Sequence, residues 1–399
     1  MAVRTIGLYV MAPRFPADRR LRWGWPLAAV ATAIAAYGLS LVLGGAPGFA
    51  ERVYGVVIFP LFRPLSLISS LVPFGVFDVL VIAYAVWLIA LLVHTMRAVM
   101  AKRRRWWNAA AGGLRRTLRD AGVVASFFYV VWGFNYARPS VELRFGWDAT
   151  LSMDTTELVK FAEQAVAAAN QAYIDLHGSA DVGQPTAMPA DVRELDGALE
   201  QGWERAVDHL QLPSGFGRRY GRAKFPWSGP LMSWLGIAGV YVPFTAETYL
   251  PAELPAISAA STMAHEKAHQ RGVAREAEAT FLGSIAGALA PHPLARYGAA
   301  SRVASQLLST IAFRARADYD RLNTELLPGI HRDIEDRNQY YRRYRNVTQQ
   351  WHSALNDRYL RANRVRAGTR DYGRAATLLL LYAREHGTVL PDALAVPHR

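Results

Sequence analysis

Three uncharged runs lie in the first third of the chain, and helical periodicities fill the rest. Pro26 to Leu43 (PLAAVATAIAAYGLSLVL) is long enough for a short membrane helix, for which about 17–25 residues suffice. Val79 to Met96 is the second and most apolar run, and Ala121 to Phe134 (AGVVASFFYVVWGF), extended to position 136, is the third. Between the first two, residues 56–77 are apolar but interrupted by Pro60, Arg63, Pro64 and Pro73. A mid-depth arginine is costly in lipid and prolines break helices, so this stretch reads as interfacial or re-entrant.

Beyond Tyr136 the spacing changes. Met153 to His177 and Asp191 to Leu210 carry apolar residues at helical intervals, with Asp154, Thr155 and Thr156 as capping material for the first, and a Gly- and Pro-containing loop separates the two. Residues 221–251 are rich in glycine, proline and aromatics, with a short β-leaning piece at Gly239 to Phe244. Helix is expected again from about Pro255, and after Pro291 and Pro293 in long charged segments as far as His386. The chain contains no internal repeat or low-complexity tract.

The composition supports a substantial core: 399 residues, 52% hydrophobic, with eleven tryptophans. A net charge of +13 would ordinarily suggest nucleic acid, but the positive residues are unevenly placed. Arg4, Arg14, Arg19, Arg20 and Arg22 precede the first run, and Arg97, Lys102 to Arg105, Arg115, Arg116 and Arg119 lie between the second and third. This is the positive-inside signature, and it argues against a nucleic-acid partner. It predicts a cytoplasmic N-terminus at 1–24, a transmembrane region at 25–136 with spans near 26–43, 79–96 and 121–136, and an extracytoplasmic domain at 137–399. The absence of cysteine suits an exported domain.

The strongest chemical signal is MAHEKAHQRGVAREAEATF, Met263 to Phe281. On a helix, His265 and His269 project from one face one turn apart, so both imidazoles can reach one metal ion, with Glu266 beside them to take a proton from the attacking water. Gly272 is positioned to end that helix and let a second begin. Glu276 and Glu278 then point in different directions; Glu276 is the favoured third ligand, Glu278 the alternative, and Thr280 a hydrogen-bonding support one turn beyond Glu276. The other eight histidines share no such spacing.

Weaker candidates surround this motif. Gly239, Val240, Tyr241 and Val242 read either as an edge strand able to hold substrate by strand addition or as a plain core strand. Tyr372 is a candidate donor to an oxyanion, with core or surface tyrosine as the plainer reading. Glu247 reads as an exposed carboxylate, and Lys224 with Ser228 does not make a persuasive nucleophile and base.

Several spaced stretches, PLSLISSLVPFGVFDVL, WGFNYARP, GIAGVYVPFTAE, the histidine motif and NDRYLRANRVRAGTRDYGRAATLLLLY, resemble the bacterial membrane family known as domain of unknown function 3810, from about Val56 to Tyr382. The resemblance implies membrane spans and a zincin-like metallopeptidase motif, without a substrate. More distantly, HEKAH followed by EAEAT resembles the gluzincin pattern of HExxH with a later ExxxD or ExxAN. That similarity implies Glu276 as third ligand; it departs at Thr280, where those families carry Asp or Asn, a stronger orienter of a ligand histidine.

The expected fold is therefore mainly α: a three-helix transmembrane region followed by an α+β zincin-like domain with a small sheet and a long helical C-terminal part. The expected function is a multi-pass, zinc-dependent (Zn2+) peptidase of the cytoplasmic membrane, acting outside it on a peptide or protein substrate. The alternatives are a non-catalytic envelope scaffold or binding protein with a structural metal, and a zinc amidase acting on cell-wall material.

Overall fold

The computed structural model of the chain describes residues 21–103, 105–148, 154–344 and 371–392, which are mainly helical. The N-terminal region runs through α1 (Leu21–Leu43), α2 (Pro47–Val53), a π-helical turn (Tyr54–Ile58), α3 (Phe59–Ser69), α4 (Val76–Met100) and α5 (Trp106–Val131). Among the described residues, α1 and α4 are each long and apolar enough to cross a membrane. Along α4 the side chains of Leu80, Ile82, Val86, Ile89 and Leu92 are exposed, which is compatible with a lipid bilayer.

The other two apolar stretches differ from expectation. Ala121 to Phe134 is not a separate helix: most of it is the second half of α5, whose first half carries Arg115, Arg116, Arg119 and Asp120. Those charges make α5 as a whole more polar than α1 and α4. They have partners within the helix cluster. Arg119 Nη2 is 2.7 Å from Asp120, Tyr84 on α4 donates to Asp120 at 2.8 Å, and the Arg115 and Arg116 guanidiniums sit over the Trp23 and Trp87 rings. Residues 56–77 are largely helical, and the segments Pro47–Val56 and Pro60–Ser69 meet at 45°, so together they are a bent pair that can be read as one broken span or a re-entrant loop. The α3 part docks on the second half of the chain. Phe62 packs with Trp132, Tyr136 and Tyr241, and Arg63 donates to the Arg219 carbonyl at 3.0 Å.

That second half contains α6 (Val141–Phe145), α7 (Thr155–His177), α8 (Val192–Leu210), α9 (Gly229–Leu235), a two-stranded antiparallel hairpin of β1 (Val240–Val242) and β2 (Glu247–Tyr249), then α10 (Ala256–Gln270), α11 (Glu276–Leu289), α12 (Pro293–Ile311), α13 (Arg316–Glu325), α14 (Pro328–Arg343) and α15 (Asp371–His386). The caps follow the sequence only in part. Asp191 accepts from the Arg193 amide at 2.9 Å to start α8, whereas Asp154 precedes α7 without a side-chain cap bond. Helix α10 lies centrally, against α11, α12 and the hairpin, while α7, α8 and α15 close the core from outside. Tyr173, Trp203, Met263, Phe281, Tyr297 and Leu379 meet in that core.

The hairpin also fixes the start of α4. Glu247, expected to be exposed, is buried, because its oxygens accept from the Val76 and Phe77 amides at 3.0 Å each, from Lys224 at 2.6 Å and from Tyr249 at 2.6 Å. The carboxylate thus satisfies N–H groups that the first turn of a helix leaves without partners. Asp78 on the same turn accepts from the Ser228 amide and hydroxyl at 3.0 and 2.9 Å. Lys224 and Ser228 therefore hold the apolar helix to the rest of the chain.

Candidate metal centre

Helix α10 begins after Pro255 and buries Ala256 to Ala260, Met263 and Ala264, so its register inside the core is fixed before the chemical residues are reached. It ends where the sequence suggests. Gly272 takes φ +80°, its amide bonds the His269 carbonyl at 2.8 Å, and Val273 N reaches the Ala268 carbonyl at 3.2 Å. The reversal has a second effect: the Val273 carbonyl lies 2.6 Å from His269 Nδ1 and accepts its proton. Arg138 braces the same turn, donating to the Gly272 carbonyl at 2.9 Å and to Glu51 at 2.7 Å.

Helix α11 then opens with Glu276 against His265. His265 Nε2 is 3.1 Å from Glu276 Oε2 and 3.1 Å from His269 Nε2, and His269 Nε2 is 3.6 Å from Glu276 Oε2. His265 Nδ1 is 3.1 Å from Thr280 Oγ1. With both Nδ1 atoms bonded on the far sides of the rings, the neutral imidazoles turn lone pairs toward one point, which a carboxylate oxygen also faces. Three electron-rich atoms repel one another unless a cation lies between them. Zinc bonds of about 2.0–2.1 Å at tetrahedral angles separate the ligand atoms by about 3.3–3.4 Å, so the observed spacing fits such an ion closely. His265, His269 and Glu276 form the group among the described residues able to hold a metal.

The site electrostatics agree. Burial drives the His265 imidazole down to about 4. Burial also opposes charge on His269, but the Glu276 carboxylate outweighs it and lifts that ring to about 9, while His269 and His265 in turn hold Glu276 well below the usual carboxylate range. The trio thus takes up a proton on His269 when no other cation is bound.

Glu278 points elsewhere. Its carboxylate accepts from the Val141 amide at 3.3 Å and from Arg275 at 3.1 Å, tying α11 to α6. Glu266 faces the metal side of the helix from a buried position, and burial raises its carboxyl to about 7. The Tyr241 amide of β1 faces that carboxylate. Tyr241 is opposite Thr248 in the hairpin, and along a strand the backbone groups alternate between edges, so Tyr241 turns its N–H and C=O away from β2 and toward the site. Gly239 makes this approach possible: a Cβ there would lie 2.5 Å from Thr262 Cγ2 and 2.8 Å from Glu266 Oε1.

The histidines, Glu266 and Glu276 line a cavity of about 420 Å³ together with the 236–241 backbone and the side chains of Phe128, Trp132 and Tyr136. The Trp132 ring stands edge-on to His269 at 5.8 Å. Of the residues predicted from sequence, Gly239, Val240 and Tyr241 reach this cavity, and Val242 faces the cluster of Met232 and Tyr249 instead. Tyr372 is on the first turn of α15, and its side chain lies outside the described residues.

Other contributors lie outside the histidine face. Arg302 of α12 lines the cavity from a position far along the chain. On the back of α10, Lys267 binds Glu200 at 2.6 Å and Asp196 at 3.0 Å, Arg271 binds Glu200 at 2.8 Å and stacks on Trp203, and Gln270 donates to Ser66 of α3 at 2.8 Å. Lys267, Gln270 and Arg271 stand at i, i+3 and i+4, a polar stripe opposite the histidines in a helix with an apolar lead-in; that spacing was the available signal.

A family model described as Protein of unknown function (DUF3810) matches residues 54–380. No curated protein and no solved structure matches the chain.

Proposed function

Because the chain belongs to the DUF3810 family, whose description names no activity, we propose from its site that it is a membrane-anchored, zincin-like metallopeptidase. One observation carries this reading: the lone pairs of His265 and His269 and a Glu276 oxygen converge beside a buried Glu266 and an outward-turned strand edge. A divalent ion such as Zn2+, held by those three residues, would polarise a substrate carbonyl and acidify a water.

The side chains then have separate tasks. Glu266, raised toward neutrality by burial, accepts a proton from the attacking water and returns it to the leaving amine, as a general base and acid must. Val273 O and Thr280 Oγ1 hold the two imidazoles in the tautomer that leaves Nε2 unprotonated. The Tyr241 carbonyl offers an extended substrate a backbone acceptor beside the metal residues, while its amide is turned to Glu266. The Trp132 ring, edge-on to His269, supplies an apolar wall of the cavity beside it.

The same reading includes three membrane crossings with the site outside. In support, Arg115 with Trp23 and Tyr37 with Tyr129 mark α5 as running parallel to α1, back toward the hairpin that holds the start of α4. Paired charges on α5 are the form in which such residues are tolerated at membrane depth. Arg97, Lys102, Arg103 and Arg105 then lie at the end remote from the site, on the positive-inside face. Exposed Trp227, Leu231 and Trp234 suit contact with the interface.

Mass-spectrometric analysis of a peptide library incubated with detergent-purified protein tests the activity. Chelator-sensitive cleavage, lowered about 10²–10⁴-fold in Glu266→Gln with metal still bound, is expected. Equal cleavage by wild type and Glu266→Gln would overturn the assignment.

A further inference from the structure

Next to the metal cavity lies a second one of about 260 Å³, sharing with it Ala238, Ser261, Thr262 and Arg302. Its wall adds Arg337 of α14 and the hydroxyl residues Ser258, Ser301 and Tyr341. Arginines on two different helices thus line one small polar space. Among the described residues neither forms an ion pair with a carboxylate, and Arg337 reaches Ser305 Oγ at 3.5 Å. Several other arginines in this part of the chain are paired with acids, as Arg271 is with Glu200, Arg332 with Asp181 and Arg384 with Glu157, while Arg205 and Arg296 donate to backbone carbonyls.

The electrostatics point the same way. Burial, with Arg302 nearby, lowers Arg337 below the ordinary guanidinium value, and Tyr341 is in the field of both arginines. Two like charges held together in a half-buried space raise each other's energy, and an anion between them relieves this. Arginine forks suit a planar carboxylate in particular.

We propose that this cavity binds a carboxylate of the substrate, through Arg302 and Arg337, on one side of the bond being cut. The inference rests on the peptidase reading for its placement in catalysis, but the binding itself does not. Helix α10 joins the two cavities: Ser258, Ser261 and Thr262 precede His265 and Glu266 on the same face, so a chain lying along residues 238–241 passes from one to the other. The predicted substrate class is acidic peptides, with Asp, Glu or a free C-terminal carboxylate near the scissile bond.

Saturation-transfer NMR on full-length protein in detergent tests the site with two probes, N-acetyl-aspartate amide and N-acetyl-asparagine amide. We expect transfer to the aspartate probe in wild type and in Glu266→Gln, at least tenfold weaker transfer in Arg302→Met and Arg337→Met, and partial recovery in Arg302→Lys. Thermal unfolding of each variant identifies any that fail to fold. Equal transfer to both probes, or transfer unchanged in both methionine variants, would overturn the proposal. Binding of the acidic probe without cleavage of any acidic peptide would leave the anion site intact and count against the peptidase.

Discussion

Replacing Glu200 by glutamine should cost about 3 kcal/mol at neutral pH, although Glu200 touches neither the metal residues nor the cavity. The carboxylate is 3% exposed and bonds Lys267, Arg271 and the Tyr220 amide, the last at 3.0 Å. Burial alone would raise its pKa; the two cations and the amide outweigh burial and hold it at about 2, against an ordinary 4.5. A difference of that size is worth about 3 kcal/mol of folding stability. The folded value is depressed, so this contribution is present above 4.5 and is lost as pH falls toward 2. A second argument gives a similar size. Removing one member of a buried ion cluster leaves Lys267 with Asp196 alone and Arg271 hydrogen-bonded to backbone carbonyls only, a change that typically costs about 3–5 kcal/mol. Urea unfolding in detergent, followed by tryptophan fluorescence at pH 7 and pH 3, measures both. A loss below about 1 kcal/mol at pH 7, or the same loss at both pH values, would refute the reasoning.

Thr280→Val removes the oxygen 3.1 Å from His265 Nδ1; metal affinity should fall about 10–100-fold with little change in stability, measured by competition with a chromophoric chelator. Gly239→Ala sets a Cβ against Thr262 and Glu266, so turnover should drop while metal content is unchanged; full activity would mean that β1 can move away freely. Metal binding should release about one proton near pH 7, because His269 is protonated up to about 9 without metal and must lose that proton to coordinate. Affinity should therefore rise about tenfold per pH unit below that value, and calorimetry in buffers of different ionisation enthalpy that detects no proton release would contradict the description of the trio.

The chemical core of the site was legible because its geometry is local. His265 and His269 are one turn apart, Gly272 marks the reversal, and Glu276 opens the next helix, so the helical period and a left-handed glycine suffice. The choice between Glu276 and Glu278 was not local, since it depends on Val141 and Arg275 capturing the second carboxylate. The same holds for Arg302 and Arg337, which share a cavity only after α12 and α14 have packed. In the N-terminal region the hydropathy pattern located α1 and α4, but it misread the start of α5, because a helix held by ring stacking and an internal ion pair carries charges that look like a loop. Glu247 was read as exposed because nothing in its own neighbourhood announces the N-terminus of α4, which comes from residues far earlier in the chain.

The account depends most directly on metal content. Elemental analysis of detergent-purified protein supplied with zinc should give about one ion per chain in wild type and in Glu278→Ala, and almost none in His265→Ala or Glu276→Ala. Folded wild-type protein that takes up no metal, or a Glu278→Ala variant that loses it while Glu276→Ala keeps it, would contradict the site derived from these residues.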